Sequence, residues 1–332
     1  MPSRETYAYR RALKARAQRA IDSNDSAIDS VFHRAQDDFL TFCTLLDKPP
    51  AKHMLEWHQE LITGDSNKYL IDIAGPNLDI LSPRGSAKST VLNLFTAWVI
   101  GKHTTAQRPL QIIYCSYNIA TAIPKSRIIK QIIDSSTFKK IFPKVKLKAG
   151  MQSDIGWSID FDYAGIDRIG DEEFTLRAAG LRGSITSKRA HLVIVDDPIK
   201  SSSDIKNPAV REEMNNNWSS VIAPIVFEGG RSICLGTRFH PLDIHKTMFI
   251  PKKGWKQVAQ EALTYDKQGE PVSYWPEQWS VSYLMGQKEL DPVAFAYQYQ
   301  QQPVMTSDLV LSPDLLIKGE VETEFDTLAV GI

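Results

Sequence analysis

Between Leu81 and Thr90 the chain reads Leu-Ser-Pro-Arg-Gly-Ser-Ala-Lys-Ser-Thr, a run of small residues closing on a lysine and two hydroxyls. That composition suits the binding of a polyphosphate. A strand-to-helix turn presents backbone N–H groups and the positive end of a helix dipole to the anion, and small residues at 82, 85, 86 and 87 keep this backbone accessible. Against the pattern G-x-x-x-x-G-K-[ST], Ser82 and Ala87 stand where the two glycines are expected, and Gly85 is the glycine left inside the loop. Lys88 is spaced to reach β- and γ-phosphates, and Ser89 offers a hydroxyl to Mg²⁺. Ser82, Pro83, Arg84, Gly85, Ser86, Ala87, Lys88, Ser89 and Thr90 thus form an expected cradle for ATP.

A second site of chemistry follows about a hundred residues on. His191-Leu-Val-Ile-Val195 has the apolar, β-branched character of a buried central strand and ends in Asp196-Asp197-Pro198. Carboxylates at the C-terminal edge of such a strand lie where α/β sheets bind ligands. With a P-loop upstream, Asp196 is expected to hold the Mg²⁺ shell and Asp197 to polarise an attacking water. A third strand, from Arg231 to Arg238, ends in Gly-Thr237-Arg238.

Three ordered motifs, Ser-Pro-Arg-Gly-x-Ala-Lys-Ser-Thr, Val-Asp-Asp-Pro-Ile-Lys and Leu-Gly-Thr-Arg-Phe-His, together resemble the large terminase subunit of tailed double-stranded DNA bacteriophages. Ala179-Gly-Leu-Arg182-Gly-Ser-Ile-Thr and Tyr297-Gln-Tyr-Gln-Gln-Gln-Pro303 extend the match, which runs from about Trp57 to Pro303. The resemblance implies an ATP-hydrolysing motor that drives double-stranded DNA into a procapsid, with Walker A and Walker B elements. It implies a homo-oligomeric ring, a portal protein and a small terminase subunit as partners, and a site of action in the cytoplasm of the infected host and transiently at the portal vertex. By the same resemblance Gln59 reads the adenine edge, Arg84 senses the γ-phosphate in cis, Arg182 reaches a neighbour's ATP, and Thr237 with Arg238 couples nucleotide state to DNA. Many relatives of this ATPase class use Glu where Asp197 stands, so Glu172 or Glu173 is a candidate helper. A helicase or other nucleic-acid-stimulated ATPase of the same fold, and a non-catalytic nucleotide-binding scaffold, are the alternative readings.

Composition agrees with one large α/β domain with additions, or two domains: 332 residues, 42% of them hydrophobic. Cys43, Cys115 and Cys234 cannot all pair, and two of them lie in apolar runs, which suits inert thiols in a reducing compartment. No apolar stretch reaches the length of a membrane span, and the N-terminus lacks an apolar signal region. Lys+Arg and Asp+Glu both number 39, so attraction to DNA must be local. Residues 1–20 and 138–148 are the basic candidates.

The elements that position these groups follow from pattern. The expected fold is α/β of the P-loop (RecA/ASCE-like) type, a central mostly parallel sheet flanked by helices, with an N-terminal helical appendage over 1–48. The motor domain spans 49–303. Met54 to Ile62 reads as a short amphipathic helix, Gln111 to Ser116 as a buried strand and Ile119 to Ile133 as a helix. Trp157, Ile159, Phe161 and Tyr163 alternate with polar residues, which predicts one continuous strand. The pattern argues against calcium at Asp160-Phe-Asp162, and the spacing of His240 and His245 against zinc. The resemblance to terminases implies that residues 304–332 form a linker and the first strand of a ribonuclease-H-type nuclease domain belonging to a longer parent protein.

Overall fold

The computed structural model describes residues 25–167, 174–183, 185, 189–250 and 253–303. The basic run over 1–20, Glu172, Glu173 and the expected nuclease strand lie outside them.

Among the described residues the helices are α1 (Asp25–Asp37), α2 (Phe39–Leu45), α3 (Leu55–Leu61), α4 (Lys88–Thr105), α5 (Ile119–Asp134), α6 (Ser136–Ile141), α7 (Phe161–Ala164), α8 (Pro208–Asn217), α9 (Val281–Leu290) and α10 (Pro292–Gln298). The strands are β1 (Asn77–Leu81), β2 (Ile112–Ser116), β3 (Leu147–Gln152), β4 (Gly156–Ile159), β5 (Leu176–Gly180), β6 (Ala190–Asp196), β7 (Val226–Gly236), β8 (Trp255–Ala259), β9 (Leu263–Tyr265) and β10 (Pro271–Ser273). Eight strands form one sheet in the order β3-β4-β5-β2-β6-β7-β1-β8. From β5 to β8 all pairings are parallel, and β3 and β4 add an antiparallel edge. The expected mixed α/β fold, with its mostly parallel central sheet, is therefore the one observed.

Parallel central strands are covered on both faces and read as continuous apolar runs. β6 obeys this: Leu192, Val193, Ile194 and Val195 are all fully buried. One face packs on α4, whose residues from Val91 to Thr104 are buried all round because α1 and α2 cover its far side. Phe39 and Phe42 supply that cover. Phe39 contacts Phe95 and Trp98, and Phe42 contacts Phe138 and Phe142. Lys102, buried within this layer, is paired with Asp37 at 3.0 Å and Asp72 at 2.6 Å. Residues 32–46 thus share the main core with α4.

One expected strand is cut short. β4 stops at Ile159, and Phe161–Ala164 forms a single helical turn, so Tyr163 leaves the alternation. Asp160 accepts a hydrogen bond from Tyr163 N and caps this turn, and Gly165, at φ 68°, ends it. Local capping overrides the period-two pattern.

Arg231 holds the sheet to the chain that precedes the loop. Fully buried in β7, its guanidinium donates to the carbonyls of Glu60, Leu61, Ile73 and Pro76 at 2.7–3.1 Å. Burial lowers its pKa to about 10. The end of α3 and the segment before β1 are thereby fixed on the neighbouring strand.

Residues 262–302 build a smaller unit around Ala262, Leu263, Leu284 and Phe295, with the β9–β10 hairpin, α9 and α10. It sits over the 82–88 loop.

Candidate active site

β1, β6 and β7 end at the same sheet edge, with β7 between the other two. The loop after β1 carries two residues with positive φ, Gly85 at 78° and Ala87 at 62°. No side chain caps the N-terminus of α4, and its dipole points into this loop. Lys88 is buried, and its ammonium donates to the carbonyls of Ser82 (3.1 Å) and Pro83 (3.0 Å) and to Thr237 Oγ1 (3.0 Å). Burial lowers its pKa, opposed by the carboxylates of Asp197 and Asp196.

Asp196 ends β6 with a fully buried carboxylate. Ser89 Oγ donates to its Oδ1 at 3.0 Å, Tyr114 OH lies 3.1 Å from Oδ2, and Lys125 Nζ lies 3.3 Å from Oδ2. Ser116 Oγ donates to the backbone carbonyl of Asp196 at 2.7 Å and fixes β2 to β6. Burial, and then repulsion from Asp197, raise the Asp196 pKa, while Lys125, Ser89 and Tyr114 lower it. Asp197 follows in a left-handed conformation, φ 48°, with its N–H donated to Leu235 O. Strained backbone of this kind concentrates at functional sites. Ser89, Asp196, Lys88 and Thr237 therefore converge as the sequence pattern predicts. Their oxygen donors, a serine hydroxyl and a buried carboxylate, are of the hard type that Mg²⁺ takes.

The smaller unit clamps the loop. Arg84 is exposed; its N–H donates to Gln298 O at 3.0 Å and its guanidinium reaches Gln298 Oε1 at 3.4 Å. Trp279 Nε1 donates to Gly85 O at 3.3 Å, and a Cβ on Gly85 would lie 2.5 Å from the Trp279 ring. Gln301 Oε1 accepts from Arg238 N at 3.1 Å, while the Arg238 side chain is locked on Asp243 at 2.8 Å. Ser82 Oγ donates to Gln260 at 3.1 Å. The glutamine run of the Tyr-Gln-Tyr-Gln-Gln-Gln segment thus holds both the loop and the tip of β7.

Beside the first turn of α4 lies a cleft of about 350 Å³, lined among others by Pro50, Met54, His58, Ala87, Thr90 and Trp275. Gln59 is not among its lining residues and is exposed. The helical repeat explains the difference, because Met54 and His58, four apart, share the face turned to the cleft and Gln59 points about 100° away from it. Arg182 stands beyond the end of β5, on the same sheet edge, and makes a bidentate pair with Glu213 of α8, 2.7 Å at its shorter contact. In the basic segment, Lys139 pairs with Asp134, and Lys140 and Lys146 lie over Phe32 and Tyr163.

A further buried cluster lies one layer below. His245 Nδ1 is 2.8 Å from Asp79 Oδ1, Gln257 donates to Oδ2 at 2.9 Å, and Cys234 completes the group. With the carboxylate already served by His245 and Gln257, the cluster reads as an internal strut between β1, β7 and the turn after it.

Fold and site define an α/β architecture of the P-loop type, in which an acidic strand and a lysine loop flank a third strand that ends at Thr237. Its particular likeness is to the large terminase subunit of tailed phages. The chain is 24% identical over 266 residues to the terminase large subunit of Enterobacteria phage T3, a match covering 78% of this chain and 41% of that protein. The chain therefore spans less than half the length of this relative. The ATPase domain of the Thermus phage P74-26 large terminase, solved as a mutant, shares the fold at TM-score 0.50 and 13% identity, over 79% of this chain and 98% of the other. No protein-family model matches. No described helix is long and apolar enough to cross a membrane.

Proposed function

We propose that this chain is the ATP-hydrolysing motor domain of a phage large terminase subunit, powering translocation of double-stranded DNA into a procapsid. The observation that carries the reading is the convergence of Lys88, Ser89, Asp196 and Thr237 at one sheet edge, with Asp197 adjoining.

Phosphoryl transfer to water needs positioning and charge neutralisation more than covalent chemistry. The loop from Ser82 to Thr90 offers N–H groups and the α4 dipole to the phosphates. Lys88 exchanges its carbonyl partners for phosphate oxygens. Ser89 and Asp196 would hold Mg²⁺, which would supply charge neutralisation for the transferred phosphoryl group. Asp197 accepts a proton from the attacking water. The cleft beside α4 accommodates the base through Met54, His58 and Trp275, in place of Gln59. Arg84 acts in cis once it parts from Gln298, and Arg182 acts on a neighbouring subunit's nucleotide once it parts from Glu213, so that full activity requires a homo-oligomeric ring. The portal of the procapsid and a small terminase subunit are the partners in this reading, and the cytoplasm of the infected host is its place of action.

The test is phosphate release by the purified protein, alone and with double-stranded DNA and procapsids. Hydrolysis that rises when both are present supports the motor. A folded protein that binds ATP and releases no phosphate under any of these conditions would return the chain to a nucleotide-binding scaffold.

A further inference from the structure

The carboxylate of Asp196 faces two claims on its single negative charge. Its side chain is fully buried, and an ionised carboxylate in that setting requires a compensating cation. Ser89 and Tyr114 contribute neutral hydroxyls, which satisfy lone pairs without cancelling charge. Lys125 is the described residue in ion-pair contact, 3.3 Å from Oδ2. On the reading above, Mg²⁺ also takes its charge balance from this carboxylate.

The two sides of the pair differ in freedom. Asp196 is fixed: its backbone is laddered to β2 and β7, its carbonyl accepts from Ser116, and each of its oxygens has a hydroxyl neighbour. Lys125 stands in α5, with a flexible stem and a side chain 26% exposed, so it can withdraw toward solvent without disturbing the core. It also lies within the electrostatic reach of Lys88, on the phosphate side of the sheet edge.

We propose that Lys125 is the resident counter-charge of Asp196 in the metal-free protein, displaced when the metal binds: a positioning residue that holds the carboxylate in place between turnovers. This rests on the assignment of Asp196 to the metal. Lys125 lies far upstream of Asp196 in sequence and is brought to it because α5 follows β2 and β2 pairs with β6.

The consequence is read in binding, not only in rate. Without Lys125, metal-free ATP meets an uncompensated buried carboxylate, while the metal-loaded complex still has its cation. The measurement is the equilibrium affinity of a fluorescent N-methylanthraniloyl-ATP at pH 8, once with excess EDTA and once with saturating Mg²⁺. The ratio of the two dissociation constants is expected to rise by about tenfold or more in Lys125→Gln and to stay near the wild-type value in Lys125→Arg, which keeps the charge. In an Asp196→Asn background, adding Lys125→Gln is expected to leave the ratio unchanged, because the charge it balances is gone. That pair also serves if Lys125→Gln alone does not fold, since the amide at position 196 needs no counter-ion. A folded Lys125→Gln with a ratio within about twofold of wild type, or an equally large shift in the Asp196→Asn background, overturns the proposal. Failure of the wild type to bind the nucleotide in either buffer would instead overturn the assignment of the site itself.

Discussion

Lys88 and Thr237 meet across the ends of β1 and β7, ammonium to hydroxyl at 3.0 Å, and both donate to the carbonyl of Ser82. The lysine is thus parked on its own loop and on the tip of the neighbouring strand. On the proposed function, binding of a phosphate would draw it away from Thr237 and tie the state of the loop to the position of β7. Lys88→Ala is expected to reduce hydrolysis about a hundredfold or more, on the order of 3 kcal/mol of transition-state stabilisation, with the fold retained. Steady-state phosphate release and circular dichroism check this. Near-normal turnover by the folded variant would mean the site is elsewhere.

The paired acids are expected to separate by phenotype. Asp197→Asn retains Mg²⁺-dependent ATP binding and loses hydrolysis, since an amide cannot take the water's proton. Asp196→Asn weakens the Mg²⁺-dependent part of binding as well. Titration calorimetry beside a turnover assay distinguishes them, and reversed phenotypes would exchange the roles assigned here.

Arg182 is committed within its own chain, to Glu213 and to the hydroxyl of Tyr117 at 3.3 Å. A role in trans requires that this exposed pair open, which is energetically modest because surface ion pairs contribute about 1 kcal/mol or less. Arg182→Ala is expected to be inactive alone, by about 10³-fold, yet to recover hydrolysis when mixed with Lys88→Ala, since each supplies what the other lacks. Mixtures that never exceed the sum of the two variants, under assembling conditions, would rule out Arg182 and move the role to Arg84 acting in cis or to Arg189.

Stability is expected to fall in mild acid. Burial lowers the pKa of His53 and His58 to about 4 and that of His103 to about 3, from an ordinary 6.5. The folded values lie below the unfolded one, so this stabilisation is complete above pH 6.5 and is lost as pH falls toward 4 and below. In that window each histidine contributes on the order of 1 kcal/mol per pH unit. His58 stacks on Phe39 with ring centres 4.6 Å apart, and its Nδ1 has no hydrogen-bond partner among the described residues. His58→Phe should therefore flatten the profile of urea midpoints between pH 7.5 and 5. An unchanged slope would refute the assignment.

The lysine loop and the acidic strand were legible because their chemistry is local in sequence: a few consecutive residues carry the turn, the helix start and the ligands. Even the departures from pattern have a physical resolution. Ala87 takes the left-handed conformation of the glycine it replaces, at a strain of about 1–2 kcal/mol. Gly85 is required by the close approach of Trp279 as well as by its positive φ. What the pattern could not give is contact between distant segments. Lys125, Tyr114, Trp279 and Gln260 reach the site only through strand order and through the docking of residues 262–302. Gln59 stands on the exposed face of its helix for a related reason, since a helix places its face by packing, and Met54 and His58 took the positions turned to the cleft. The strand expected through Tyr163 failed because an Asp cap with a glycine stop outweighs alternation.

The smaller unit grips the loop and the tip of β7 through uncharged groups: the Gln298 carbonyl on Arg84 N, the Trp279 indole on Gly85 O and the Gln301 amide on Arg238 N. Uncharged contacts are nearly indifferent to ionic strength, whereas exposed pairs such as Arg182–Glu213 weaken as the Debye length shrinks. On the proposed function the protein would work inside the dense and fluctuating counter-ion atmosphere of a polyanion. The grip of the smaller unit on the loop and on the tip of β7 is of a kind that such an atmosphere does not slacken, whereas the exposed Arg182–Glu213 pair is open to it.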